Sequence, residues 1–404
     1  MMNIKSEKKD FKIPKNFDNR GRHLILVFTM LITTVALISA PISIASVQSQ
    51  GSEKKTLRIG YFPNITHAQA VIGLNNGDFQ KTLGDNVTVE TVKFNAGPSA
   101  IESLLADRID ATYIGPNPAI NGYLLTDGKD LRVISGVSSG GASFVVRNDS
   151  GIETVNDLGG KKFASPQLGN TQDVALRKYL VDNGFNTVEN GGNVTILPIA
   201  NADILTAFLK KEIDGAWVPE PWATRLIQEA GGKVFVDEKS LWPEGKFVTA
   251  NLIVRTDYLE KNPEIVKKLL GAHVDETVKI NNNTKEAAKE FNAQLKKLTG
   301  QEISENVLDK AFSNLELTYD PLKLTLFKSA NDAYDLGFIE KGKDRPNLSG
   351  IYDTTLLNEV LAEKALQSID DTGVINNTTN STLNGQANTT NSNSSGGAIA
   401  DLVT

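Results

Sequence analysis

The sequence has no cysteine, and only three histidines, three methionines and three tryptophans occur among its 404 residues. The absence of cysteine excludes disulfide bonds, thiolate metal sites, cysteine nucleophiles and a lipid anchor attached to cysteine. Histidine-rich metal spacings, the Gly-X-Ser-X-Gly nucleophile motif and the Walker phosphate loop are also absent from the sequence. We therefore expect a protein that binds rather than catalyses, with no catalytic residues, metal or cofactor.

The chain has no excess of positive charge, since 42 lysines and arginines stand against 48 aspartates and glutamates. The formal net charge is −6, and basic residues cluster only in the N-terminal tail. This balance argues against a nucleic-acid partner. With 40% hydrophobic residues, a chain of this length is able to form two or more buried cores.

The two ends of the chain differ in composition from the rest. In residues 1–46, seven lysines and arginines precede an apolar run, and small residues follow at Ser43 to Ala45. This pattern predicts either a cleaved signal peptide or a membrane anchor, and in both cases an exported protein, free or anchored at the outer face of the cytoplasmic membrane. Residues 367–404 are rich in Asn, Thr and Ser, which predicts a disordered tail. Its Asn-X-Ser/Thr triplets are either glycan acceptors or chance products of that composition.

Two segments of the chain, residues 104–119 and 208–223, resemble each other in order and character. In each, a helical pattern ends, an Ile-Asp pair begins a short apolar strand, and a proline-containing turn begins another helix. The offset between the two Asp residues is 214 − 110 = 104 residues, and the same offset pairs residues 58–63 with 162–167. An internal repeat of this kind predicts two similar α/β lobes with a cleft between them.

Strands that alternate with helices of about ten residues predict a parallel sheet in each lobe. Lobe 1 is predicted to comprise residues 56–145 and a mostly helical second part, residues 250–366. Lobe 2, residues 146–249, is inserted between them. The chain is then expected to cross between the lobes twice, near Ser143–Arg147 and near Thr249–Val254.

Ligands in α/β proteins of this kind bind beyond the carboxyl ends of the strands. Five turns satisfy that rule, and most of them begin a helix, whose free N–H groups and dipole attract an anion. The candidate ligand-binding residues are those of these turns and one strand: Phe62, Asn64, Thr66, His67, Gly115, Pro116, Asn117, Ser138, Gly141, Gln167, Asn170, Thr171, Trp217, Glu220 and Trp222. The turns contain no lysine or arginine, which predicts binding through helix termini.

Each candidate has a purely structural alternative. Pro116 suits the first turn of any helix, and Asn117 is also suited to capping one. Trp217 would either form a wall of the pocket or belong to the core. Glu220 would repel an anion, so it would either pair with an ammonium group of a zwitterionic ligand, or face solvent or bond the start of its own helix.

The chain resembles the periplasmic-type solute-binding proteins of ABC importers, in the nitrate, sulfonate and taurine branch. Four segments carry the resemblance: LRIGYFPN at 57–64, DATYIGPNP at 110–118, DLGGKKFA at 157–164 and IDGAWVPEP at 213–221. It covers about residues 56–366 and is strongest to the aliphatic-sulfonate-binding group. It implies a two-lobed type II periplasmic-binding fold with two hinge strands. It also implies a small organic anion or zwitterion as ligand, and ABC permease and ATPase subunits as partners.

Two other functions are compatible with this fold class. The thiamine-pyrimidine synthases are similar in shape, but their cysteine-rich motif is absent here, so only a pyrimidine-precursor-binding role remains. The other alternative is a tethered sensor, in which the N-terminal segment holds the lobes at the membrane and the solute is a signal.

Overall fold

The computed structural model describes residues 54–340 and 345–369. The predicted signal or anchor segment 1–46 lies outside these residues, as does nearly all of the predicted tail 367–404. Among the described residues, no helix combines the length and the apolar character needed to cross a membrane.

The described strands form two separate sheets. They are β1 Lys55–Tyr61, β2 Val87–Lys93, β3 Ala111–Ile114, β4 Leu131–Gly140, β5 Ala142–Arg147, β6 Lys162–Ser165, β7 Thr195–Pro198, β8 Gly215–Pro219, β9 Gly232–Asp237, β10 Val248–Arg255 and β11 Leu315–Leu317. The first sheet has the order β11-β4-β10-β3-β1-β2, and the second has the order β7-β6-β8-β5-β9. We call the sheets and the helices packed on them lobe 1 and lobe 2.

The described helices cover both faces of each sheet. They are α1 Ala68–Asn76, α2 Asp78–Leu83, α3 Gly97–Leu105, α4 Pro116–Leu125, α5 Thr171–Asp182, α6 Asn201–Leu209, α7 Trp222–Ala230, α8 Thr256–Lys261, α9 Pro263–Asn282, α10 Thr284–Thr299, α11 Glu305–Ser313, α12 Lys323–Asp335 and α13 Thr355–Glu363. In lobe 1, one buried core includes residues of α1, α2, α9 to α11 and α13, and a second core on the other face includes residues of α3, α4 and α12. In lobe 2, α5 contributes to one core and α6 and α7 to the other.

The internal repeat is visible in the hydrogen bonds at the start of each sheet. In lobe 1, the backbone N–H of Arg58 donates to the carboxylate of Asp110 at 2.8 Å, and the N–H of Asp110 donates to the carbonyl of Arg58 at 2.8 Å. In lobe 2, Lys162 and Asp214 form the same two bonds at 2.9 and 2.7 Å. The offset of 104 residues therefore relates residues that form the same hydrogen bonds, as well as residues of similar type.

The chain passes from lobe 1 to lobe 2 between β4 and β5. Gly140 and Gly141 stand there with φ angles of 76° and 74°, a left-handed region that glycine adopts without strain. The chain returns between β9 and β10. Both crossings lie slightly earlier in the chain than the sequence predicts, because residues 143–147 already belong to β5 and residues 249–254 to β10.

Strand β11 is an element that the helical pattern of residues 256–364 does not predict. It pairs antiparallel with the last residues of β4, so that Leu315 lies opposite Gly140. The helix before it, α11, packs against α7 of lobe 2. The second part of lobe 1 thereby supports the first crossing and touches the other lobe.

Candidate ligand-binding site

A cavity of about 30 Å³ lies between the lobes, at the carboxyl ends of the strands. Its lobe 1 side is formed by residues that follow β1, β2 and β3 and by one residue of β10: Phe62, Asn64, Thr66, His67, Asn95, Ala96, Gly97, Gly115, Pro118 and Thr249. Its lobe 2 side is formed by residues that follow β6 and β7 and by the last residue of β8: Pro166, Asn170, Thr171, Gln172, Asn201 and Pro219. Among the described residues, neither side contributes a lysine, an arginine or a carboxylate.

Four helices begin at the cavity, and three of them lack a capping side chain. The residues at the N-caps of α3, α4 and α6 are Ala96, Gly115 and Ala200, and none of these caps its helix through a side chain. Pro98, Pro116 and Pro118 have no N–H, so the donors available to a ligand are the first-turn N–H groups of the other residues, such as Gly97 and Asn117. Each helix terminus favours an anion by about 0.3–1 kcal/mol when exposed and by up to about 2 kcal/mol when partly buried.

His67 is buried at the cavity and is held in its neutral form. Its Nδ1 accepts the backbone N–H of Phe62 at 3.3 Å, and burial lowers the pKa of the imidazole to about 3. Because an amide N–H only donates, Nδ1 carries no proton and the ring proton resides on Nε2. Nε2 has no hydrogen-bond partner among the described residues. His67 thus offers an N–H donor without a positive charge.

Asn170 and Gln172 are oriented in a similar way in lobe 2. The side-chain oxygen of Asn170 accepts the N–H of Asp173 at 2.8 Å, and its amide group donates to the oxygen of Gln172 at 3.2 Å. The amide nitrogen of Gln172 remains as a donor at the cavity. Together with His67, these side chains present N–H groups that match the oxygens of an anion.

Two lining atoms are buried without a hydrogen-bond partner in the described part of the chain. They are Oγ1 of Thr171 and Oδ1 of Asn201, at the first residues of α5 and α6. A buried polar group without a partner costs about 1–3 kcal/mol, so such atoms are rare unless a ligand or water serves them. An anion bound between the lobes would accept the Thr171 hydroxyl, whereas Oδ1 of Asn201 is an acceptor and needs a donor, such as a water molecule.

The lobes touch each other at Gly115 and Thr171. A Cβ atom built on Gly115 would lie well inside 3.0 Å of Thr171 Oγ1 and at 3.3 Å from Thr171 Cβ. The absence of a side chain at Gly115 thus permits the close approach of the two lobes. The structure has a closed cleft.

The structure brings seven of the predicted site residues into the cavity lining, namely Phe62, Asn64, Thr66, His67, Gly115, Asn170 and Thr171. Trp222 stands beside the lining, where its indole N–H donates to the Asn64 side-chain oxygen at 3.0 Å. Pro116 and Asn117, in the first turn of α4, are not among the lining residues, and the Asn117 amide donates to the carbonyl of Ser329.

Four further predicted residues lie outside the lining. Ser138 and Gly141 belong to the first crossing region, and Gln167 bonds Ser99 of lobe 1 at 3.3 Å. Trp217 is fully buried in the core of lobe 2, where it stacks on Phe144, so its structural alternative is the observed one.

Glu220 turns away from the cavity and bonds the start of its own helix. Its carboxylate accepts the N–H of Thr224 at 3.1 Å, the hydroxyl of Thr224 at 3.0 Å and the amide of Asn314 at 2.6 Å. Burial raises the pKa of this carboxyl group. The predicted pairing of Glu220 with a ligand ammonium group is therefore not what the structure shows.

The sequence prediction missed the turns that follow β2 and β7. These turns contribute Gly97 and Asn201, the first residues of α3 and α6. The 104-residue offset relates these two positions, and it also relates Gly115 to Pro219 and His67 to Thr171. Applying the repeat to every predicted helix start would have found them.

A larger crevice of about 470 Å³ lies at the opposite end of the lobe 1 sheet. Its arginines, Arg58 and Arg255, use every guanidinium nitrogen on Asp107, Asp110 and Asp257. Because each guanidinium nitrogen is already bonded to one of these aspartates, the cavity between the lobes is the better candidate.

Comparison with known families matches residues 50–295 to the NMT1-like family model. The chain belongs to the NMT1-like family. A putative aliphatic sulfonates-binding protein of Bacillus subtilis (strain 168) is 26% identical over 340 residues, which cover 82% of this chain and 97% of the relative. The taurine-binding periplasmic protein of Escherichia coli (strain K12) is 26% identical over 51% of this chain and 61% of its own length. The predicted family resemblance is confirmed.

Solved structures support the fold. A putative sulfonate ABC transporter component from Methylobacillus flagellatus KT, the periplasmic sulfonate-binding protein SsuA, superposes with a TM-score of 0.59 at 18% identity. The match covers 78% of this NMT1-like chain and 96% of that structure. The two-lobed, type II periplasmic-binding-protein fold predicted from the sequence is confirmed.

Proposed function

We propose that this protein is an extracytoplasmic solute-binding protein that delivers a small organic anion to an ABC importer. The observation that carries the proposal is the chemistry of the cavity, where uncapped helix starts and neutral N–H groups converge and none of the described lining residues is a lysine, an arginine or a carboxylate. A sulfonate has three acceptor oxygens that share one negative charge, and it needs donors rather than a buried cation. The sulfonate- and taurine-binding names of the relatives support the same ligand class.

Within that class we favour an aliphatic sulfonate over a taurine-like zwitterion. The carboxylate of Glu220 is occupied by Thr224 and Asn314, and none of the described lining residues has an acidic side chain to pair with an ammonium group. An ammonium group there would lose its hydration without gaining a counter-charge.

The test is a thermal-shift series with methanesulfonate, taurine, nitrate and an aminopyrimidine. A ligand at 100 times its Kd adds about 2.7 kcal/mol to the free energy of unfolding, which is readily detected as a higher Tm. We expect methanesulfonate to raise the Tm more than taurine does. A shift with the aminopyrimidine and none with the three anions would contradict the proposal.

The site of action is also part of the proposal. Export follows from the basic and apolar character of residues 1–46, and the same segment is either removed or retained as an anchor. Mass spectrometry of the N-terminus of protein purified from its own cells distinguishes the two forms. A chain that begins near residue 46 indicates cleavage, and an intact first segment in the membrane fraction indicates an anchor.

A further inference from the structure

One hydrogen bond joins the lobes directly at the edge of the cavity. The indole Nε1–H of Trp222, the first residue of α7 in lobe 2, donates to Oδ1 of Asn64 in lobe 1 at 3.0 Å. Asn64 is 5% exposed and lines the cavity, whereas Trp222 stands beside the cavity and does not line it. The bond exists only when the lobes are together.

This bond determines which end of the Asn64 side chain faces a ligand. The two ends of an asparagine amide have the same shape, and their assignment depends on the surrounding hydrogen bonds. An indole N–H is a donor only, so the atom of Asn64 that meets it must be the oxygen. The Nδ2 group of Asn64 has no partner among the described residues, and it remains for the cavity as a donor.

Trp222 is held in place by its own lobe before it meets Asn64. The guanidinium carbon of Arg225 lies 5.0 Å from the indole ring centre, and Arg225 is itself bonded to Glu229 at 3.0 Å. The carboxylate of Glu220 fixes the first turn of α7 through Thr224. Closure therefore brings an already oriented N–H donor onto Asn64.

A second hydrogen bond between the lobes lies next to the bond between Trp222 and Asn64. The backbone N–H of Ile65, next to Asn64, donates to the carbonyl of Glu220 at 3.2 Å. Two adjacent residues of lobe 1 thus bond the start of α7 in lobe 2. The pair fixes the position of Asn64 as well as the rotation of its amide.

We propose that Trp222 is a positioning residue that acts through Asn64, an inference that rests on the proposed function. Trp222 helps to close the cleft, and it turns the Asn64 amide so that this amide donates to the bound anion. The bond couples closure to ligand recognition. In the open protein the Asn64 amide is free to rotate, and on closure only its donor end faces the ligand. An anion gains from this orientation, and a group that itself donates hydrogen bonds does not.

The test begins with Trp222→Phe, which removes the N–H and keeps an aromatic ring over Arg225. Stopped-flow binding of methanesulfonate should give a dissociation rate about 3- to 10-fold higher, the loss expected for one neutral hydrogen bond. The association rate should change by less than about 2-fold, because the bond forms after encounter. In an Asn64→Ala background, Trp222→Phe should have no further effect, whereas independent effects that add would overturn the proposal.

Asn64→Asp separates orientation from closure. A carboxylate still accepts the Trp222 N–H, but it places a charged oxygen where the Nδ2 donor stood. We expect methanesulfonate affinity to fall more than about 100-fold, because a like charge faces the anion at close range. Asn86→Asp is the matched control, since Asn86 is exposed and remote from the cavity lining. Equal affinities for Asn64→Asp and the control would overturn the proposal.

A measurement without ligand distinguishes this inference from the proposed function. Since the chain has no native cysteine, labels on Leu125→Cys in lobe 1 and Leu209→Cys in lobe 2, both exposed, report the distance between the lobes. Trp222→Phe should lower the ratio of closed to open molecules about 3- to 10-fold. An unchanged ratio overturns the inference, whatever the probes show. If wild type binds none of the anions while this ratio still falls, the proposed ligand class is wrong and the closing role of Trp222 stands.

Discussion

The substitution Gly115→Ala tests whether the contact between the lobes controls binding. The new Cβ would lie well inside 3.0 Å of Thr171 Oγ1 and at 3.3 Å from Thr171 Cβ, so the lobes would not reach their present positions. Within lobe 1 the nearest atom is the carbonyl oxygen of Thr249 at 3.6 Å, an ordinary contact. The backbone of Gly115, with φ −70° and ψ 160°, suits alanine. The change should therefore impair closure without impairing folding.

The expected loss follows from the cost of overpacking. Forcing one methyl group into a close-packed contact costs about 1–3 kcal/mol, which corresponds to a Kd about 5- to 150-fold higher. Thr171 is able to rotate its hydroxyl away, but that rotation removes the hydroxyl from the ligand. Isothermal titration with methanesulfonate measures the loss. Without ligand, the free energy of unfolding should change by no more than about 0.5 kcal/mol, the range of a neutral surface substitution.

A double-mutant cycle identifies the partner. Thr171→Ala removes the clashing hydroxyl and leaves only the 3.3 Å contact to Cβ. Gly115→Ala should then cost much less in the Thr171→Ala background than in the wild type, even though Thr171→Ala by itself weakens binding. Wild-type affinity in a folded Gly115→Ala protein, or the same cost in both backgrounds, would refute the reasoning.

Three further predictions concern salt, pH and the fold. The Kd for methanesulfonate should change less than about 3-fold between about 50 and 500 mM salt, because none of the described lining residues is a lysine or arginine that salt would screen; a steep loss of affinity would contradict the site. Glu238 accepts the Trp217 indole N–H at 2.7 Å, and burial raises the pKa of its carboxyl group to about 7. The folded protein therefore holds the carboxyl proton more tightly than the unfolded chain does. The free energy of unfolding should then fall as the pH rises from about 4.5 through 7. Glu238→Gln should therefore raise the free energy of unfolding at pH 8.5 by roughly 1–3 kcal/mol, and an unchanged pH profile in urea unfolding would count against this. Gly136→Ala should lower the free energy of unfolding by about 1–3 kcal/mol or more, since its Cβ would collide with the backbone of Asp320. Gly271→Ala in α9, where no atom lies within 4 Å of the added Cβ, should raise it by about 0.5–1 kcal/mol. Similar Tm values for the two variants would contradict this.

The local pattern of the sequence was sufficient for most of the α/β elements. Strand β3 and helix α4 follow the first Ile-Asp pair as the repeat predicts, because an apolar run and a proline-containing turn define their boundaries. The internal repeat predicted two similar lobes with a cleft between them. Strand β11 escaped prediction because three residues are too short to show a period, and its pairing with β4 depends on residues far away in the sequence.

The direction in which individual side chains point could not be predicted from the sequence. Glu220 bonds Asn314, 94 residues away, and Trp217 bonds Glu238 across the lobe 2 core. Trp222 reaches Asn64 from 158 residues away. The type of each residue allowed either a ligand contact or a structural bond, and only the packing of the lobes decides between them.

The distance between the lobes tests most directly whether a small anion binds between two closing lobes. Labels on Leu125→Cys and Leu209→Cys report that distance in single molecules, and the chain has no native cysteine to interfere. Saturating methanesulfonate should shift the population to the shorter distance, and Gly115→Ala should prevent the shift. Binding of methanesulfonate with no change in the distance distribution would contradict the account.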